Sequence, residues 1–307
     1  MISFPRAGST LGANVLCTLS MIIWSAGILA ADFLIPHVPA LQLSAARIGL
    51  AVAVLLPLWW IMERDRARIT GGEWLRGLGI GAMLGLGALC LLLGQGMTDA
   101  VTVAVISASM PVIGIALEVV LDGRRITAGI VIGVVLSLVG GAVTLLNKLG
   151  GLQVGLGAAL CFLSILSFTL GSRLTVTAFP RLTPLGRTTV SLTGGAVVSI
   201  LVAGVALALD DARPDWAALG WREFGALLVF AIGGLAISQI LWVVAVGRLG
   251  IGLSSLHINL TPFYVMAILF ALGGSWNWMQ ALGAAVVGVG VLVAQGVIAL
   301  PARRGRG

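Results

Sequence analysis

GIGLSSLHINLTPFYVMAILF, residues 250–270, is the stretch from which the fold is read. It is long enough to cross a membrane, yet it carries Ser254, His257, Thr261 and Tyr264. Those residues stand at i, i+3, i+7 and i+10, so on a helix they fall along one face. Lipid offers such a stripe no partners, and unpaired polar groups in hydrocarbon cost free energy. The stripe is therefore expected to face other helices or a water-filled cavity. Pro262, beside Thr261, removes a backbone donor and predicts a kink or local break. Kinked helices with polar inner faces line solute sites in membrane proteins, and they also serve as plain packing joints.

The rest of the chain reads as the enclosure around this face. Of 307 residues, 59% are hydrophobic and 9% charged, and the mean hydropathy is +1.12. A soluble domain is about a quarter charged, so composition points to an integral membrane protein. The 43 glycines suit helices packed closely in lipid. Cys17, Cys90 and Cys161 lie in apolar segments without metal-ligand spacing, which predicts neither disulfides nor a metal site. No HExxH, GxSxG or P-loop pattern is present, so neither catalysis nor a cofactor is expected. The basic residues are dispersed over short loops, which excludes a nucleic-acid surface. No cleaved signal peptide is expected.

Spans of about 20 apolar residues fall near 12–31, 40–62, 75–97, 101–121, 127–146, 153–172, 184–209, 224–246, 251–272 and 278–300. The expected fold is an all-α polytopic membrane protein of ten transmembrane helices. With the N-terminus cytoplasmic, 14 basic residues lie on the cytoplasmic side. They are Arg6, Arg64, Arg66, Arg68, Arg76, Arg124, Arg125, Arg173, Arg181, Arg187, Arg248, Arg303, Arg304 and Arg306. Only Lys148, Arg213 and Arg222 lie opposite, and Arg47 is inside a span. A miscounted helix would scramble this alternation, so the positive-inside bias supports ten spans and both termini cytoplasmic.

A weak repeat runs through the chain. Gly96–Gly114 aligns with Gly247–Val265 at an offset of 151, which places Pro111 on Pro262. Gly133 and Gly140 match Gly283 and Gly290 at an offset of 150, and Pro39 matches Pro184 at 145. The halves are 1–148 and 149–307. Five spans per half is an odd number, so the second copy is expected to be inverted. Inverted repeats place a solute site between the halves near mid-membrane.

Two five-helix halves, Trp24-Ser25 in the first span, Pro39 through Arg47 in the second, and Pro111 and Pro262 in the fourth and ninth together resemble the EamA branch of the drug/metabolite transporter superfamily. The resemblance implies a ten-helix bundle around a central cavity, working by alternating access. It also implies export in preference to uptake. Many members carry Gly-Glu-Arg after the fourth helix and a related glutamate after the ninth. Here those places read Gly123-Arg124-Arg125 and Gly274-Ser275-Trp276, so no role is carried over from those glutamates.

Seven residues are candidates for substrate contact: Arg47, Trp24, Gln239, Trp242, His257, Thr261 and Tyr264. Arg47 lies roughly 12 Å into its span at 1.5 Å per residue. There it is either an anion contact or a structural arginine bonded to helix-end carbonyls. His257 is either a cavity ligand and proton-coupling group or a packed histidine. Gln239, an amide inside a span, demands a partner, and Trp242 shares its face. Trp24 is either an aromatic wall or a packing anchor. Glu118, near a span end, is expected to pair with Arg124 or Arg125. Pro111 and Pro262 are candidate hinges.

The functional expectation is a secondary transporter, an exporter of small metabolites such as amino acids or related amphipathic compounds, in a bacterial plasma (inner) membrane. Its partners would be a small-molecule substrate, the lipid bilayer, a proton or exchange substrate, and a second copy of the chain. A passive facilitator or channel is the alternative, and a membrane enzyme or scaffold a more remote one.

Overall fold

The computed structural model describes residues 7–63, 69–98, 100–143, 155–209 and 213–298, and the described residues are helical throughout, without strands. The basic residues Arg6, Arg64, Arg66, Arg68, Lys148, Arg303, Arg304 and Arg306 lie outside them, as does the junction at 148/149. In order the helices are α1 (Ala7–Ala31), α2 (Ala40–Met62), α3 (Gly71–Gln95), α4 (Ala100–Ala108), α5 (Met110–Asp122), α6 (Ala128–Val143), α7 (Leu156–Thr177) and α8 (Pro184–Leu209). There follow α9 (Trp221–Leu228), a π-helical stretch (Val229–Ile237), α10 (Ser238–Leu249), α11 (Ile251–Ser255), a 3₁₀ stretch (Leu256–Leu260), α12 (Thr261–Ala271) and α13 (Trp278–Ala294). Among the described residues eight helical stretches are long and apolar enough to cross a membrane, and Ala128–Ala142 and Trp278–Ala294 are shorter apolar helices. Leu58, Ile61, Leu86, Leu93, Ile200 and Leu201 point outward and exposed, as lipid-facing side chains must.

Helix boundaries follow local chemistry rather than hydropathy alone. α3 begins at Gly71, ahead of the apolar run, because Thr70 and Glu73 form a reciprocal capping box. α4 and α5 are separated at Ser109, immediately before Pro111 in the first turn of α5. α11 and α12 are separated by the 3₁₀ stretch, and Pro262 stands in the first turn of α12. In both places proline lacks the amide hydrogen that a continuous helix would need, and it is tolerated where a new helix starts.

The helices pair between the two halves of the chain. α1 packs on α10 and the π stretch, and α3 packs on α7 and α8. α2 packs on α8 and the π stretch, α5 on α11, and α6 on α13. Counting α4–α5, α9–α10 and α11–α12 as single stretches gives ten among the described residues. Exchanging each stretch for the one five places along turns this set of pairs into itself. The α6–α13 pair is built on the glycines that align in the repeat. A Cβ on Gly290 would lie 2.7 Å from the Gly133 carbonyl oxygen, and one on Gly140 would strike the Gly283 carbonyl. Only glycine lets these backbones approach so closely.

Candidate functional site

A cavity of about 740 Å³ opens between α1, α4, α6, the 3₁₀ stretch, α12 and the start of α13. Its mouth is formed by Gly274, Ser275 and Asn277 from the α12–α13 connection, and Gln280 follows on α13. From there it runs along Leu269, Met266, Val265 and Pro262 of α12, about 11 Å of helix at 1.5 Å per residue. Its floor lies at the two helix breaks, where Ser107 and Ala108 end α4 and Ile258, Asn259 and Thr261 bridge into α12. Trp24 of α1 forms one wall.

Asn259 is 7% exposed, and its amide nitrogen donates to Ser137 Oγ at 2.8 Å and reaches the Ala108 carbonyl at 3.4 Å. It thus ties the 3₁₀ stretch to α6 and to the end of α4. Its place at the cavity is not legible in the sequence, for a physical reason. A 3₁₀ turn advances about 120° per residue instead of about 100°, so five residues rotate the face by about 100° relative to a continuous α-helix. That rotation separates the members of the sequence stripe. Thr261 lines the cavity, whereas His257, 3% exposed, and Ser254 are packed below the floor. Thr261 Oγ1, His257 Nδ1 and Ser254 Oγ are all buried without a hydrogen-bond partner.

Of the other candidates, Trp24 and Pro262 line the cavity and the rest do not. Tyr264 is half-buried against the cluster around Cys17, Met21, Met110 and Trp242. Trp242 is wholly inside that cluster, with Nε1 donating to Ser172 Oγ at 3.2 Å and its ring stacked on Phe168. Gln239 is half-buried on α10, away from the cavity. Pro111 is buried at the start of α5. Arg47 donates from Nε to the Phe230 carbonyl at 3.2 Å and from Nη2 to the Gly234 carbonyl at 2.8 Å. Its guanidinium lies 4.1 Å from the centre of the Phe230 ring. The π turn displaces carbonyls from the regular ladder, and Arg47 satisfies two of them beside a separate cleft of about 250 Å³.

The opposite end of the bundle is closed by polar side chains. Glu118, 5% exposed, accepts from Arg124 and from the Gly252 amide at 3.1 Å, which joins α5 to α11. Asp122 accepts from Arg173 Nε at 3.0 Å, joining α5 to α7. Asn14 and Gln295 exchange two amide hydrogen bonds of 2.5 and 2.7 Å between α1 and the end of α13. Glu63 accepts from Thr183 Oγ1 at 2.6 Å, joining α2 to α8. Among the described residues no group of His, Cys, Asp and Glu is placed to hold a metal ion.

Comparison with known proteins agrees with this architecture. Residues 11–146 match the EamA-like transporter family. The chain is 27% identical over 266 residues to the uncharacterized transporter YyaM of Bacillus subtilis (strain 168), covering 84% of this chain and 85% of that one. A solved crystal structure shares the fold with a TM-score of 0.77 and 18% identity, covering 95% of this chain and 99% of that one.

Proposed function

We propose, from the premise that this chain is a membrane protein carrying an EamA-type transporter domain, that it is a secondary carrier of small amphipathic metabolites working by alternating access. The observation that carries this reading is a cavity reaching the helix breaks from one end, while the other end is closed by side-chain bonds. A channel needs a path open at both ends. A carrier needs one end shut at a time.

In this reading all ten helical stretches cross the bilayer, with residues 1–148 and 149–307 as inverted repeats and both termini in the cytoplasm. The pairing of each stretch with partners in the other half supports the repeat. The closed end is then cytoplasmic and the cavity faces outward. Trp24 and Thr261 contact the solute, and the breaks before Pro111 and Pro262 are the hinges. Arg47 and Trp242 hold the frame, since Arg47 Nε and Nη2 and Trp242 Nε1 are already committed to protein partners. Gln239, His257 and Tyr264 act from outside the cavity wall. Export across a bacterial plasma membrane, driven by a gradient or by exchange, follows from the family premise.

The test is flux of a labelled metabolite panel in proteoliposomes, with and without a pH gradient. Saturable flux that is lost when Thr261→Trp fills the cavity floor supports the carrier. Non-saturating flux, or flux indifferent to that block, contradicts it.

A further inference from the structure

The cavity has no ionisable side chain among the described residues that line it. Its polar groups at the floor are Ser107, Asn259 and Thr261, and all are neutral. Its walls are the Trp24 ring and the apolar side chains of α12. An ion placed there would lose its hydration and find no counter-charge, which is costly in a low-dielectric interior. The cationic Arg47 does not repair this, because it lies at a different cleft.

The floor also has a hydrogen-bonding polarity. The Ala108 carbonyl can only accept, so the end of the Asn259 amide facing it is the donor nitrogen. With its two hydrogens directed at Ser137 Oγ and Ala108, the group Asn259 has left to offer a solute is the acceptor Oδ1. Building on the carrier reading, we infer that the cavity selects amphipathic solutes without net charge, which donate a hydrogen bond to Asn259 Oδ1 and lay an apolar body against Trp24. The solute class is an amide, alcohol or similar neutral donor of modest size, rather than an organic cation or anion.

Three probes of one shape separate the charge states: 3-phenylpropanamide, 3-phenylpropanoate and 3-phenylpropylammonium. Calorimetric titration of the purified full-length protein in detergent is expected to give the amide at least tenfold tighter binding than either ion. Asn259→Ala is expected to weaken the amide about tenfold. Asn259→Asp, which reverses the bond so that Ser137 Oγ must donate and adds a negative charge to the floor, is expected to turn the preference toward the ammonium. Monodisperse elution checks the fold of each variant. Equal or tighter binding of either ion by the unaltered protein overturns the inference, as does absence of binding by all three. The carrier reading falls only if the proteoliposome panel also shows no saturable flux.

Discussion

The two ends of the bundle are built from different chemistry. At the open end the α12–α13 connection is held by aromatic packing. Trp276 lies 6.1 Å from Phe263, 5.3 Å from Phe270 and 5.8 Å from Trp278 between ring centres. At the closed end charged and amide side chains bridge helix termini, joining α5 to α11, α5 to α7 and α1 to α13. Each such edge-to-face contact is worth only about 0.5–1.5 kcal/mol beyond the area it buries, so shifting or losing one costs little. A buried carboxylate bonded to an arginine and to an amide N–H tolerates no such shift, since either partner left alone in a low dielectric is penalised heavily. In the carrier reading the closed end serves as a latch and the open end as a compliant rim.

The largest effect expected from that contrast is at Glu118. Glu118→Ala removes the acceptor shared by the partly exposed Arg124 and the buried Gly252 amide, and leaving such donors without their charged acceptor costs about 3 kcal/mol. A marked fall in Tm of the purified protein checks this. An unchanged Tm would mean that the latch is not carried by Glu118.

Next is the frame that both ends share. Gly140→Leu drives a side chain into the Gly283 backbone across the α6–α13 contact, and overpacking of this kind costs about 1–3 kcal/mol. The expected result is a lower Tm together with loss of transport. A variant of normal stability would show that these two helices separate at little cost.

Sequence was a good guide to this frame and a poorer one to the site. The glycines at 133, 140, 283 and 290 align in the chain and meet in space, because close backbone approach demands glycine and leaves a mark. Pro111 and Pro262 mark the two helix breaks for a similar reason. Site positions depend instead on helical phase, which the 3₁₀ stretch shifts. Thr261 faces the cavity, His257 turns away, and Asn259 turns in. Arg47 carried two readings in sequence that only its partners separate, and those partners are carbonyls of a π turn for which residues 229–237 give no compositional sign. The polar bridges of the closed end were legible in part. Glu118 was expected beside Arg124 or Arg125 and bonds Arg124, whereas its bond to Gly252 required the tertiary fold.

At the open end, Trp24→Ala sharpens the contrast from the other side. Trp24 is half-buried and forms cavity wall. Its truncation is expected to raise KM about tenfold, equivalent to about 1.4 kcal/mol, with little change in Tm. A large Tm loss at unchanged KM would make it a packing anchor and remove it from the site.

The smallest effect expected is at the amide pair. Asn14→Ala and Gln295→Ala should each cost about 0.5–1.5 kcal/mol, with the double variant costing less than the sum because the pair is already broken. Strict additivity would show that the two amides act independently.

The most direct test of alternating access is to lock the closed end. Asn14→Cys and Gln295→Cys are joined by a short thiol-specific crosslinker, with Cys17, Cys90 and Cys161 replaced. Transport is read in proteoliposomes with a cleavable crosslinker. The account predicts that the locked protein stops transporting and regains flux when the crosslink is cleaved. Full flux through the locked protein would contradict it.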